Sequence, residues 1–198
     1  MLSKFENILK HNAQNTEDPW RPFASLRPPI YDDVYSNWGS VSYGYKAVAD
    51  IAAADQINSG RHRPDLFPAI FFLYRHYIEL ELKAIWINLA GRGLLAMMPC
   101  KKHSIAEMWR VILSAAVGAN LIRNDDAFVA KIRKSILLIE KIDAKSTNSR
   151  YPCSEISNLK DYHAISIRLI DLVCAADDFE SFSHALYEIV KLRYEVEP

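Results

Sequence analysis

Cysteine is scarce in this 198-residue chain: Cys100, Cys153 and Cys174 are the only three, an odd number at wide spacing. Without a C-x-x-C pair there is no basis for a zinc knuckle or a redox dithiol. The thiols read as reduced, structural and cytoplasmic. An excess of one charge is also missing. Twenty-four basic residues balance twenty-four acidic ones, so no global field would hold the protein on nucleic acid or on an anionic membrane. Any contact with a polyanion must come from a local patch. The opening "MLSKFENILKHNAQN" has no apolar core of a signal peptide, which leaves export without a signal. The most apolar stretch, Leu66 to Leu89, carries several charges at its centre, and hydrocarbon would penalise each by about 2.5–3.5 kcal/mol. It reads as a core helix, with no membrane contact expected. A Gly-rich phosphate loop and a G-x-S-x-G elbow are both lacking. A di-metal bundle would repeat Glu-x-x-His on facing helices, and the chain has only the reversed pair His76-x-x-Glu79. Neither a metal nor a cofactor is expected.

What is present is core material. Half the residues are apolar and 11% aromatic, enough for one globular domain at this length. Proline is concentrated early: Pro19, Pro22, Pro28 and Pro29 fall in "EDPWRPFASLRPPIYDDVYSNWGS" and deny that stretch helical amides. Residues 1–40 are therefore expected to be an aromatic and proline-rich arm. Trp20, Phe23, Tyr31, Tyr35 and Trp38 would be buried against the body or against a second subunit. Residues 41–198 carry the folded bundle.

Helical periodicity fills that body. Tyr45, Val48, Ala49, Ala52 and Ile57 space a first helix over Ser42 to about Asn58, with Gly60 as its stop. Leu66 to about Ala90 makes a second of about 36 Å at 1.5 Å per residue, ended by "GRG". Ser104 and Glu107 fit a capping box that starts a third, whose inner face holds Ile105, Met108, Trp109, Ile112 and Ala116. Asp125 or Asp126 caps a fourth with Phe128, Ile132, Ile136 and Ile139, ending near Asp143. From Ile165 through Leu172, Phe179 and Leu186 to Ile189 the phase holds, which favours one long helix over two hinged at "AADD". With no strand-type alternation, the fold class is all-α, an up-and-down bundle of about five helices with an N-terminal arm.

The feature that needs explaining is "LYRHYIELELKAIW", where charged or titratable groups interrupt the most apolar helix. Positions three and four apart share a face, so Arg75, Glu79, Leu82 and Trp86 form one line and His76, Glu79 and Lys83 another. Glu79 belongs to both. Glu81 falls on a different face and reads as solvated. Two arrangements fit: an ion-pair ladder on a half-exposed face, or an inward polar cluster completed by the His103 turn and the Arg150 loop. Unpaired burial would be too costly for either cation. Basic groups also collect at "RHRPD", "CKKH" and "KIRKSI", ordinarily solvated faces that can also meet a phosphate backbone.

"YRHYIELELKAIW", then "KKHSIAEMW", then "NSRYP" resembles the layout of HEPN-type helical domains over roughly Phe67 to Ile189. Arg75, Glu79, Leu80, Leu82 and Lys83 match the first element, His103 and Ile105 the second, and Arg150, Tyr151 and Pro152 the third. The resemblance implies a four- or five-helix bundle that commonly dimerises. Many such domains are metal-independent ribonucleases of prokaryotic toxin–antitoxin or anti-phage systems. Their catalytic signature is an arginine followed, after four to six residues, by a histidine. None of His11, His62, His76, His103, His163 and His184 has an arginine at that distance.

The sequence therefore leads to a HEPN-like homodimer that binds RNA or a nucleotide, with ribonuclease activity degenerate or absent. Arg75, His76, Glu79, Lys83, His103, Arg150 and Tyr151 are its candidate site. His103 and Arg150 have the chemistry for RNA cleavage, a base for the 2′-hydroxyl and a cation for the phosphate. The alternative is a structural or adaptor bundle for a protein partner, its polar stripe fixing helix register.

Overall fold

The structure is a computed structural model that describes residues 34–59, 63–97, 103–143 and 167–194, with side chains from residue 39 onward. Among these residues there are five helices and no strands: α1 (Val34–Ser59), α2 (Phe67–Gly91), α3 (Ile105–Gly118), α4 (Ala127–Ile142) and α5 (Leu169–Tyr194). The expected arm lies outside the described residues as far as residue 33, and helix already begins at Val34 rather than at Ser42. No helix among the described residues is long and apolar enough to cross a membrane.

Helix α2 is the axis of the bundle, packing against α1, α3 and α5. It is buried nearly all round, from Ile70 and Phe71 to Leu89, as an apolar helix must be. Pro68 sits in its first turn, where a missing amide costs nothing. Its end is a Schellman turn. The amides of Gly93 and Leu94 donate back to the carbonyls of Ala90 and Leu89, and Gly93 takes the left-handed φ of 73° that the motif needs. Helix α3 stops the same way, but Asn120, not Gly118, supplies the left-handed residue, at φ 53°.

Both expected caps form, one with a difference. Asp126 accepts from the amides of Phe128 and Val129 at the start of α4, while Asp125 is drawn to Arg123. Ser104 accepts from the Glu107 amide at the start of α3. The next free donor there, the Ile105 amide, goes to Glu140 from the end of α4 at 3.1 Å, and Ser104 Oγ donates to the same carboxylate at 2.6 Å.

Cross-links fix direction. Ser42 meets Glu81 and Tyr74 meets Asp50, so α1 and α2 are antiparallel. Ser104 meets Glu140 across the antiparallel α3–α4 pair. Tyr77 packs on Phe179, Ser183 reaches Glu81, and Arg92 reaches Tyr194, so α5 runs alongside α2 in the same direction. The last apolar stretch is one helix, not two.

The core is continuous through α2, α3 and α5, with Trp109 set among Phe179 and Phe182. All five apolar residues expected to line α3 are buried. In α1 the packed face is Ala49 and Ala53, small residues that let α2 approach closely, whereas Val48 and Ile57 are exposed. In α4 the inner position is Val129 and Phe128 turns outward; in α5 Val190 replaces Ile189 in the same way.

Candidate functional site

Burial decides between the two arrangements open to the α2 stripe. Arg75 is 0% exposed and Glu79 2%, so the stripe is inward. The guanidinium of Arg75 is used three ways: Nη1 donates to Glu79 Oε2 at 2.9 Å, Nε to the Asp143 carbonyl at 2.7 Å, and Nη2 to the His103 carbonyl at 2.9 Å. A planar fork with diverging donors suits this task, and an ammonium would not. It ties the middle of α2 to the turn before α3 and to the residue that closes α4.

Glu79 is the hub. Its Oε1 accepts from Lys83 Nζ at 2.7 Å and meets His103 Nδ1 at 2.9 Å, while Oε2 holds Arg75. Burial pushes the Glu79 carboxyl up, but the hydrogen bonds from Lys83 and His103, with Arg75 behind them, more than offset this and hold it below the usual carboxylate range. Two basic side chains face this carboxylate, and two further acidic residues adjoin the cluster, Asp143 through Arg75 and Glu140 through Ser104.

His103 differs from the rest in being 60% exposed. With Glu79 ionised, Nδ1 carries the hydrogen of that contact, and Nε2 faces outward, an acceptor in the neutral ring and a donor when the ring is protonated. An imidazole at the surface, oriented through one nitrogen by a sealed carboxylate, can exchange a proton or donate to an anion with the other.

Of the seven candidate residues, Arg75, Glu79, Lys83 and His103 come together. His76 does not: its ring stacks on Phe72 at 5.5 Å and meets the edge of Tyr45 at 4.5 Å. Arg150 and Tyr151 lie outside the described residues. Asp143 was missed because it takes part through its main-chain carbonyl, which no sequence pattern marks.

Glu81 is a correction. Expected to be solvated, it is 6% exposed, with Ser42 and Ser183 hydroxyls on its carboxylate, the latter at 2.5 Å. The face opposite Glu79 is covered by α1 and α5. A second charged cluster also went unread. Lys46 Nζ lies 2.9 Å from Asp50, 2.7 Å from Asp177 and 3.3 Å from Glu180, and the Tyr74 hydroxyl donates to Asp50 at 2.6 Å. Burial works against the Lys46 charge, yet the Asp177 and Asp50 carboxylates outweigh it and raise the ammonium pKa. Burial, and then Asp50, push the Tyr74 hydroxyl up. The i,i+4 spacing of Lys46 and Asp50, with Asp177 and Glu180 three apart on α5, was the available signal.

Among the described residues no group of three His, Cys, Asp or Glu side chains is placed to hold a metal ion. Comparison of the chain with family models, with curated proteins and with solved structures yields no match.

Proposed function

We propose that this chain is a HEPN-like helical domain that binds the phosphate of an RNA or a nucleotide at His103, without the usual ribonuclease chemistry. The reading is supported by one observation above others: His103 is exposed and held in orientation by buried Glu79, on the same carboxylate oxygen as Lys83. Lys83, part-buried beside it, adds positive potential. The absent arginine–histidine signature argues against cleavage, and the resemblance supplies the prokaryotic defence or toxin–antitoxin setting, the cytoplasmic location and the homodimer.

The test uses wild type and His103→Ala with total RNA and labelled oligonucleotides, scoring binding and cleavage together. His103 is exposed, so the variant keeps the fold, and binding lost in it supports the reading. A folded wild type that binds neither RNA nor mononucleotides sinks it. Sedimentation of the same preparation checks the dimer.

A second reading has its own support. Arg75 is spent entirely inside the protein, as expected of a bundle whose polar stripe sets helix register and whose outer faces serve a protein partner. On this reading His103→Ala leaves binding of the protein partner unchanged.

A further inference from the structure

Two residues along α2 from Glu79, and so on its opposite face, Glu81 closes a cavity of about 430 Å³ between α1, α2 and α5. Its lining includes three phenol rings, Tyr43, Tyr77 and Tyr187, one from each helix, three carboxylates, Glu81, Glu180 and Glu188, and one imidazole, His184.

The setting of Glu81 is the anomaly. Glu79 is matched by three nitrogen donors, but no Lys, Arg or His pairs with Glu81 among the described residues; its only hydrogen bonds there come from two serine hydroxyls. A carboxylate accepts at about four sites, so acceptor capacity remains, and no basic side chain among the described residues stands against it. Burying a charge in that condition is costly. Glu188 has no ion pair among the described residues, and Glu180 shares Lys46 at 3.3 Å with two aspartates.

We propose that this cavity is a binding site for an organic ammonium ion, with Glu81 as its counter-charge and the three tyrosines as its walls. Aromatic rings attract cations through their quadrupole and suit alkylated ammonium groups that water solvates weakly. The volume lies within the usual range for small-molecule sites. A metal ion fits less well, because no three ligating side chains converge there. The site is separate from His103 and does not depend on the RNA reading.

Calorimetric titration of the full chain with tetramethylammonium chloride and with cadaverine dihydrochloride, against sodium chloride at matched ionic strength, tests the site. Saturable binding of either organic ion, absent with sodium, is expected. Tyr43 is 65% exposed, so Tyr43→Ala leaves the fold intact and weakens binding about two- to fivefold, the worth of an exposed cation–π contact. Glu81→Gln keeps the side-chain shape and weakens it by at least about tenfold, as loss of a buried counter-charge does. No saturable binding of either probe beyond the sodium control overturns the proposal, and so does binding that Tyr43→Ala leaves unchanged.

Discussion

Arg75 and Glu79 stand one turn apart on α2 with guanidinium and carboxylate 2.9 Å apart, and both are shut off from water. Lys83 and His103 converge on the same carboxylate. One acidic side chain thus makes it tolerable to run cations through the most apolar helix of the protein. The arrangement is asymmetric, because losing the acid removes the shared partner of Arg75, Lys83 and His103 at once.

Glu79→Ala is therefore expected to cost on the order of 3–5 kcal/mol, the range for removing one partner of a buried ion pair. Urea unfolding followed by circular dichroism measures it. A loss below about 1 kcal/mol is what an exposed pair would give and would contradict the burial described.

Arg75→Lys keeps the charge and removes the fork. One ammonium cannot reach Glu79 and the carbonyls of Asp143 and His103 together, so at least one charge-assisted hydrogen bond is lost, worth about 1.5–3 kcal/mol. A lysine variant as stable as wild type would show that the two carbonyl contacts contribute nothing.

The pH dependence follows from the Glu79 carboxyl, which is held below its ordinary value of 4.5. A carboxyl depressed by folding contributes stability above its unfolded pKa, and that contribution fades as pH falls through the folded pKa. Wild type is expected to lose stability progressively below about pH 4.5. Glu79→Gln, already weaker at neutral pH, should show a shallower acid limb. Parallel acid limbs in the two proteins would remove Glu79 from the explanation.

Lys46 gives the opposite sign. Its pKa is raised by folding from 10.5, so its contribution is complete below that value and fades only as pH rises towards the folded one. Lys46→Met is expected to cost roughly 1–3 kcal/mol, less than Glu79→Ala, because Asp50 and Asp177 remain within reach of water. The cost should hold constant between pH 7 and about pH 10. A cost that falls away by pH 9 would show the ammonium to be titrating early.

Periodicity made the helical body legible wherever apolar residues alone decide the face. Met108, Trp109 and Ile112 in α3, or Phe179 and Leu186 in α5, leave one way to face the core, and they do so. It misplaced residues where two apolar neighbours compete for one position, as with Phe128 against Val129 and Ile189 against Val190. In α1 the small side chains won because close approach to α2 is worth more there than the bulk of Val48. The convergence of Arg75, Glu79, Lys83 and His103 was legible because i,i+4 spacing and the capped turn at Ser104 put them within reach. The partners supplied by distant segments were not: Asp143 acts through its backbone, Glu140 reaches across from another helix, and the serines around Glu81 come from α1 and α5.

The grip of Arg75 also sets how this protein can breathe. One guanidinium holds the carbonyl preceding α3 and the carbonyl closing α4, and Glu140 near the end of α4 holds the first amide of α3. Neither helix end can fray without breaking contacts of the other. The first turn of α3 and the last turn of α4 therefore form one cooperative opening unit, whose amides exchange hydrogen for deuterium with a shared opening free energy although they are more than twenty residues apart in the chain.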